Sequence, residues 1–222
     1  MTRHFEEELN ELKERLLYMG SLVEAMIQYS IKILVERKED LAKDIRKHEE
    51  DVNHIQVEID EICLKLLALY QPTAGDLRFI TSAMKINSDL ERMGDQAVNI
   101  AENSLDLLKA PPLKPLIDLP RMAEIVKNMV KNCLDAFVSK DPELAGKVLQ
   151  TDDQVDKFKD DIFKELLVYM SQDPNNISRA MDLVLVSRNL ERIGDHATNI
   201  AEDVIFMVSG KDIRHHLLEN KE

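Results

Sequence analysis

The sequence predicts an all-α protein built as two tandem three-helix bundles related by an internal repeat. Three observations carry that expectation. The first is composition: 222 residues, 44% hydrophobic and 32% charged, with no Trp and 5% aromatics, a mix that favours long helices over sheets. The second is punctuation. All seven prolines fall at Pro72, in the cluster Pro111, Pro112, Pro115 and Pro120, and at Pro142 and Pro174. Proline is tolerated in a helix's first turn and costly inside it, so these positions bound the helices. The third is duplication: LERMGDQAVNIAE at 90–102 returns as LERIGDHATNIAE at 190–202, identical at ten of thirteen positions, at an offset of 100 residues.

Between the prolines, apolar residues recur at three- and four-residue spacing, which predicts six helices over roughly 4–37, 39–70, 74–109, 119–139, 142–171 and 175–209. Ile55, Ile59, Ile62, Leu66 and Leu69 mark the core face of the second helix, and Leu183, Val186, Leu190, Ile193, Ala197 and Ile200 that of the sixth. QPTAGD and SQDPNN supply turn and N-cap residues for tight connections within each half. APPLKPLIDLP, with four prolines in eleven residues, reads as a stiff connector between the halves. The expected organisation is a first bundle over 1–110, a connector over 111–120, a second bundle over 121–210 and a polar tail over 211–222. A helix of about 33 residues is about 50 Å long, so three joined by short loops must pack antiparallel, and two such bundles side by side make an elongated molecule.

A formal net charge of −13 repels a phosphate backbone and disfavours nucleic acid. Free phosphate and anionic lipid are disfavoured as direct ligands, and cations are favoured. Cys63 and Cys133 stand alone in apolar helical stretches, with no CxxC, and read as buried thiols in a reducing compartment. The acidic N-terminal stretch MTRHFEEELN has no apolar segment of the secretory kind, and no run approaches the ~20 apolar residues that span a bilayer. A cytoplasmic protein, at most peripheral to a membrane, is expected.

On a helical wheel with Glu91 at zero, Glu102 falls near 20°, Asp95 near 40° and Asn99 near 80°, while Leu90, Met93, Ala97, Ile100 and Ala101 gather on the opposite side at about 100° per residue. One face enters the core and the other carries a narrow oxygen-bearing stripe, repeated by Glu191, Asp195, Asn199 and Glu202. A solvated face is the simpler reading of such a stripe. Against it stands a like-charge pair at i,i+4, mildly destabilising and yet written twice. Gly94 and Gly194 add to this, because a mid-helix Gly costs about 1 kcal/mol relative to Ala. They read either as close helix contacts or as space beside the carboxylates. RKHEEDVN sets Glu49 and Asn53 at i,i+4 on the second helix, and LQTDDQVD sets Asp152 and Asp156 likewise on the fifth. Brought together, each half offers four to six hard oxygen ligands, suited to Mg, Mn, Ca or oxidised iron rather than to a Cys/His zinc centre. His196 points off the stripe and reads as a surface histidine; His48 and His54 flank the helix-two pair, and His215 and His216 carry little signal.

The repeated stretches, joined by RKHEEDVN and TDDQVD and by LALYQPTAGDLRFI and KINSDLERMGD, resemble the PhoU family over essentially the whole chain. The resemblance implies two three-helix bundles whose E/D-xxx-D motifs hold multinuclear metal clusters, iron among them. It carries metal-ligand roles onto Glu49 with Asn53, Glu91 with Asp95 and Asn99, Asp152 with Asp156, and Glu191 with Asp195 and Asn199. Asn53 departs from the pattern, since its counterpart is Asp156, so the first site is expected to be the less charged and weaker. The resemblance also implies a regulatory accessory protein of phosphate uptake. Such a protein acts with the ATPase subunit of the phosphate ABC transporter and a sensor histidine kinase to hold phosphate-starvation signalling off. A homodimer is expected, reaching the membrane only through protein partners. No P-loop, nucleophile elbow or Gly-rich cradle points to an enzyme. The alternative is a carboxylate-bridged metal store or redox bundle. Ferritin-like sites use Glu-x-x-His, and no His here has a Glu three residues before it.

Overall fold

The computed structural model describes residues 2–213, which places His215 and His216 and most of the expected tail outside the described residues. Six α-helices run in order: α1 Thr2–Glu36, α2 Leu41–Tyr70, α3 Ala74–Leu108, α4 Asp118–Ser139, α5 Pro142–Gln172 and α6 Ile177–Ser209. No strand occurs among the described residues. The predicted boundaries hold to within two residues, and the departures have local causes. At the start of α6, Pro174–Asn176 forms a separate 3₁₀ turn, with the Asp173 carboxylate accepting from Asn175 N–H at 2.9 Å. Asp141 caps α5 by accepting from the N–H groups of Glu143 and Leu144 at 2.9 and 3.1 Å, with Pro142 in the first turn where its missing donor costs nothing. Arg37, Gln71 and Lys140 take left-handed backbone just after α1, α2 and α4, the conformation that stops a helix in one residue and turns the chain back.

Within each half the helices bury one face. Leu90, Met93, Ala97, Ile100 and Ala101 of α3 and their α6 counterparts are all buried, as the wheel predicts. The α2 stripe is narrower than predicted: Ile55, Ile59 and Leu66 are buried, Ile62 is half-buried, and Leu69 is 64% exposed. Leu69 is the penultimate residue of α2, and at that level it is Tyr70 that turns toward α1, its ring 5.2 Å from that of Phe5. Cys63 and Cys133 are both buried, and burial pushes the Cys63 thiol up to about 12.

The two halves do not have separate cores. α3 packs along α6 and α1 packs on α4, so one hydrophobic cluster runs through both halves. Phe79 of α3 stacks on Phe137 of α4 with ring centroids 4.8 Å apart. At Gly20 a Cβ would overlap Leu134 Cδ1, so α1 packs closely on α4 there and a larger residue would push the Leu134 side chain aside. α3 and α6 are antiparallel. Arg78 Nε donates to Met207 O (3.1 Å), Lys85 Nζ pairs with Asp203 Oδ1 (2.7 Å), and His196 Nδ1 meets Asp89 Oδ1 (2.8 Å). Combined with the 100-residue repeat, this register defines a pseudo-two-fold axis near Met93 and Ile193. The axis maps the Asp89–His196 pair onto Asn189 and Gln96.

The connector between α3 and α4 is packed rather than loose. Arg37, just after α1, donates to Leu108 O and, at 3.2 Å, to Ala110 O. Lys114, itself buried, pairs with Glu165 of α5, while Arg179 of α6 donates to Pro111 O at 3.0 Å. Leu113 and Leu116 rest on the core.

Candidate functional site

Each repeat presents one acidic seam, formed where a stripe on the third helix of the unit faces the second helix. In the first seam Glu91 and Glu49 are half-buried between α3 and α2, with Asp95, Asn99 and Asn53 exposed around them. Glu49 holds its proton more tightly than an ordinary carboxyl, because burial and then the charges of Asp95 and Glu102 oppose its ionisation. Glu91 is shifted the same way, by burial and by Asp95. These electrostatic couplings bring Glu49 of α2 into one field with the α3 stripe, as the sequence predicts.

In the second seam Asp152 and Glu191 are half-buried and Asp156, Asp195 and Asn199 are exposed. Burial, then the charges of Asp195 and Asp156, push the Asp152 carboxyl up to about 6. Asp195 is raised by burial and by Glu191 and Asp156. This seam contains a cation that sequence reasoning missed. Lys159 Nζ lies 3.0 Å from Glu191 Oε1, 3.1 Å from Asp156 Oδ1 and 3.9 Å from Asp160 Oδ1. Pairing with Glu191 holds its ammonium above the usual lysine range. The signal was available, since Lys159 stands one helical turn beyond Asp156 whereas the first repeat has Gln56 at the matching place. Asn53 removes one negative charge from the first seam, and Lys159 adds one positive charge to the second. The expectation that the first seam is the less charged therefore does not hold.

Gly194 sits beside these carboxylates: a Cβ there would meet Asp152 Oδ1 and Val155 Cγ1 at 3.5 Å. At Gly94 it would meet Val52 Cγ1 at 3.6 Å and Met26 Cε at 3.7 Å. These are ordinary van der Waals distances, so neither glycine is required by close helix packing.

His196 is not a surface histidine. It is 18% exposed and bonded to Asp89 of α3, because the side of α6 away from the stripe is where α3 packs rather than solvent. Its repeat counterpart Gln96 has a buried Oε1 without a hydrogen-bond partner among the described residues. His48 turns toward α1 and stacks on Tyr29, with ring centroids 5.9 Å apart, and His54 pairs with Glu58 at 3.4 Å, so neither joins the first seam.

The donor set is carboxylate and amide oxygen, which suits a hard cation. Among the described residues no three His, Cys, Asp or Glu side chains converge as a coordination sphere requires. A bound ion would have to draw the carboxylates of a seam inward and offset their mutual repulsion. In the second seam it would also have to displace the Lys159 ammonium.

The sequence profile of the PhoU domain matches the chain twice, over residues 16–104 and 119–204. A phosphate-specific transport system accessory protein PhoU homolog from Aquifex aeolicus is 42% identical over 214 residues, covering 96% of this chain and 97% of that protein. The homolog of that name from Pseudomonas putida is 40% identical over 97% of this chain and 84% of its own length. The crystal structure of PhoU from Pseudomonas aeruginosa superposes with a TM-score of 0.90 at 38% identity, over 93% of this chain and 100% of that one. The phosphate transport system regulatory protein PhoU from Streptococcus pneumoniae superposes with a TM-score of 0.85 at 29% identity, over 94% and 98%. With both of its three-helix units matched and its relatives aligned nearly end to end, this chain belongs to the PhoU family.

Proposed function

We propose that this protein is a regulatory accessory of phosphate uptake that couples the phosphate ABC transporter to a sensor histidine kinase and holds starvation signalling off when phosphate is plentiful. The observation that carries this reading is the end-to-end match to proteins named as accessory or regulatory components of phosphate transport systems, across both repeats. The physical features agree with an adaptor. No helix among the described residues is long and apolar enough to cross a membrane. The repeat places two acidic seams at the surface of a rigid helical frame, where charge neutralisation by a cation alters what the surface presents to a partner. The ligands would be Glu49, Asn53, Glu91, Asp95 and Asn99 in the first seam, and Asp152, Asp156, Glu191, Asp195 and Asn199 in the second. A bound hard cation, iron in clusters or a divalent ion such as Mg or Mn, would supply charge neutralisation.

The test is genetic and biochemical. Deleting the gene should switch on a phosphate-starvation reporter in phosphate-replete medium, and the wild-type gene should switch it off again. The transporter's ATPase subunit and the kinase should co-purify with the tagged protein. A reporter that stays off in the deletion strain would remove the regulatory reading. Iron content with oxidase activity in the purified protein would instead favour the metal-store alternative.

A further inference from the structure

The two seams carry the same formal charge by different means. Among the ligands named above, the second seam has one carboxylate more than the first, and the Lys159 ammonium matches it. What differs is access. In the first seam Glu49, Glu91 and Asp95 make no ion pair or hydrogen bond among the described residues. A cation entering there has to break no bond within the protein. In the second seam two of the four carboxylates are already held. Lys159 Nζ lies 3.0 Å from Glu191 Oε1 and 3.1 Å from Asp156 Oδ1. Asp152 and Asp195 are the two left without such a bond among the described residues.

Lys159 is suited to hold that place. It reaches from α5 to Glu191 on α6, so its ammonium ties two helices rather than two residues of one helix. Its side chain is 29% exposed and that of Glu191 20%, which shields the pair from screening by solvent ions. An ammonium has three donors and no acceptor, so it meets two carboxylates as a hard cation would. Being tethered, it competes at an effective concentration in the roughly millimolar range, whatever the level of free ion. Once expelled it is not stranded, because Asp160 Oδ1 lies 3.9 Å from Nζ and borders the outer groove between α5 and α6. The first seam has no such competitor, since Gln56 at the matching place is neutral.

We propose that Lys159 is a built-in competitor for cations at the second seam, so that the protein loads a divalent ion in two steps. The first seam fills first, and the second fills only when the ion expels the ammonium toward Asp160. Giving up hydrogen bonds between charged groups corresponds to a loss of affinity of about tenfold or more, which sets the expected gap between the steps. Between them one unit alone is loaded, a lopsided state that an exact repeat would not provide. This assignment rests on the proposed cation binding at the seams.

The test titrates Mn ions into the intact, metal-free protein by calorimetry, with lysine acetylation read by mass spectrometry at each addition. Wild type should bind in two steps separated by about tenfold or more. Asp95→Asn should remove the tighter step and Asp195→Asn the weaker one. Acetylation of Lys159 should rise only with the weaker step, measured against the exposed Lys157 as reference. Lys159→Gln should merge the steps, while Lys159→Arg, which keeps the charge, should keep them apart. Should Lys159→Gln fail to fold, the steps and the labelling of wild type decide alone. Equal steps in wild type, a tighter step lost in Asp195→Asn, or a gap unchanged in Lys159→Gln would each overturn the proposal and leave cation binding standing. So would Lys159 labelling that does not follow the Mn added. Failure of the wild-type protein to bind Mn at either seam would remove the cation reading itself, and this inference with it.

Discussion

The two acidic seams descend from one repeated pattern, yet they solve the same electrostatic problem differently. Both gather carboxylates that resist ionisation because of burial and of one another. The second seam carries its own counter-ion, Lys159, bonded to Glu191 and Asp156. The first has Gln56 at that place and offsets the strain by using one carboxylate fewer, with Asn53 opposite Asp156. A similar division recurs where the halves meet. The Lys85–Asp203 pair crosses between α3 and α6, but its repeat mates are Leu185 and Asn103, so this bridge forms once. Duplication thus preserved the apolar frame and the seam, while charge was redistributed between the copies. Local geometry is shared, and the balance of charge is particular to each unit.

The largest expected effect tests that single bridge. Lys85→Met removes the ammonium that pairs with the buried Asp203 carboxylate and should cost about 2 kcal/mol, the scale of a hydrogen bond to a charged group at a helix–helix contact. Leu185→Met at the matching exposed position should change stability by less than about 0.5 kcal/mol. Urea unfolding followed by circular dichroism measures both, and equal losses would erase the difference between the copies at this interface.

The next effect sharpens the contrast between the seams. Lys159→Gln gives the second seam the residue of the first and should lower the melting temperature at pH 7.5 by a few degrees, on the order of 1 kcal/mol once solvent screening is allowed for. It should also tighten binding of a divalent ion such as Mn to that seam by about tenfold, the expected gain when a competing unit charge is removed, on the order of 1.4 kcal/mol. Gln56→Lys should weaken binding to the first seam. The paired substitutions Asp95→Asn and Asp195→Asn together should abolish binding with little loss of fold, since both residues are exposed. Calorimetric titration reads all four, and unchanged affinities in Lys159→Gln would show that the ammonium does not control the seam.

A smaller effect lies in the pH dependence. Asp152, raised to about 6, binds its proton more tightly folded than unfolded. Its contribution to stability is therefore fully present below the unfolded value near 4 and is lost as pH rises through about 6. Without added metal, the melting temperature should fall by a degree or two between pH 5 and pH 7.5 on this account. Asp152→Asn should flatten that slope, and a slope unaffected by the substitution would dissociate Asp152 from it.

The smallest effects concern the two glycines. Gly94→Ala adds a methyl at ordinary distance from Val52 and Met26, so helix propensity should stabilise it by up to about 1 kcal/mol. Gly194→Ala sets its methyl against the Asp152 carboxylate and should gain less. Equal gains in thermal scans would mean that the seam does not extend to these positions.

The sequence by itself determined the helices, because proline and capping chemistry act within a few residues and apolar spacing of three and four is a property of one helix. Asp141 before Pro142 is legible without any neighbour, and so is the stripe from Glu91 to Glu102. The seams were half legible. The i,i+4 acids named the residues, and an internal repeat showed that the pattern is kept in both halves. Tertiary structure decided what periodicity has no means to encode, namely which side of each helix meets which other helix. His196 points off the stripe in sequence, and only the antiparallel packing of α6 on α3 converts that direction from solvent to Asp89. The single core follows from the same cause, as Phe79 and Phe137 stack across halves that a repeat alone portrays as separate. Lys159 belongs to both levels: its position one turn from Asp156 is written in the chain, but its hold on Glu191 exists only because α5 lies against α6. Charge interactions reach across space rather than along the chain, and so the seams' electrostatics emerged only with the packed helices.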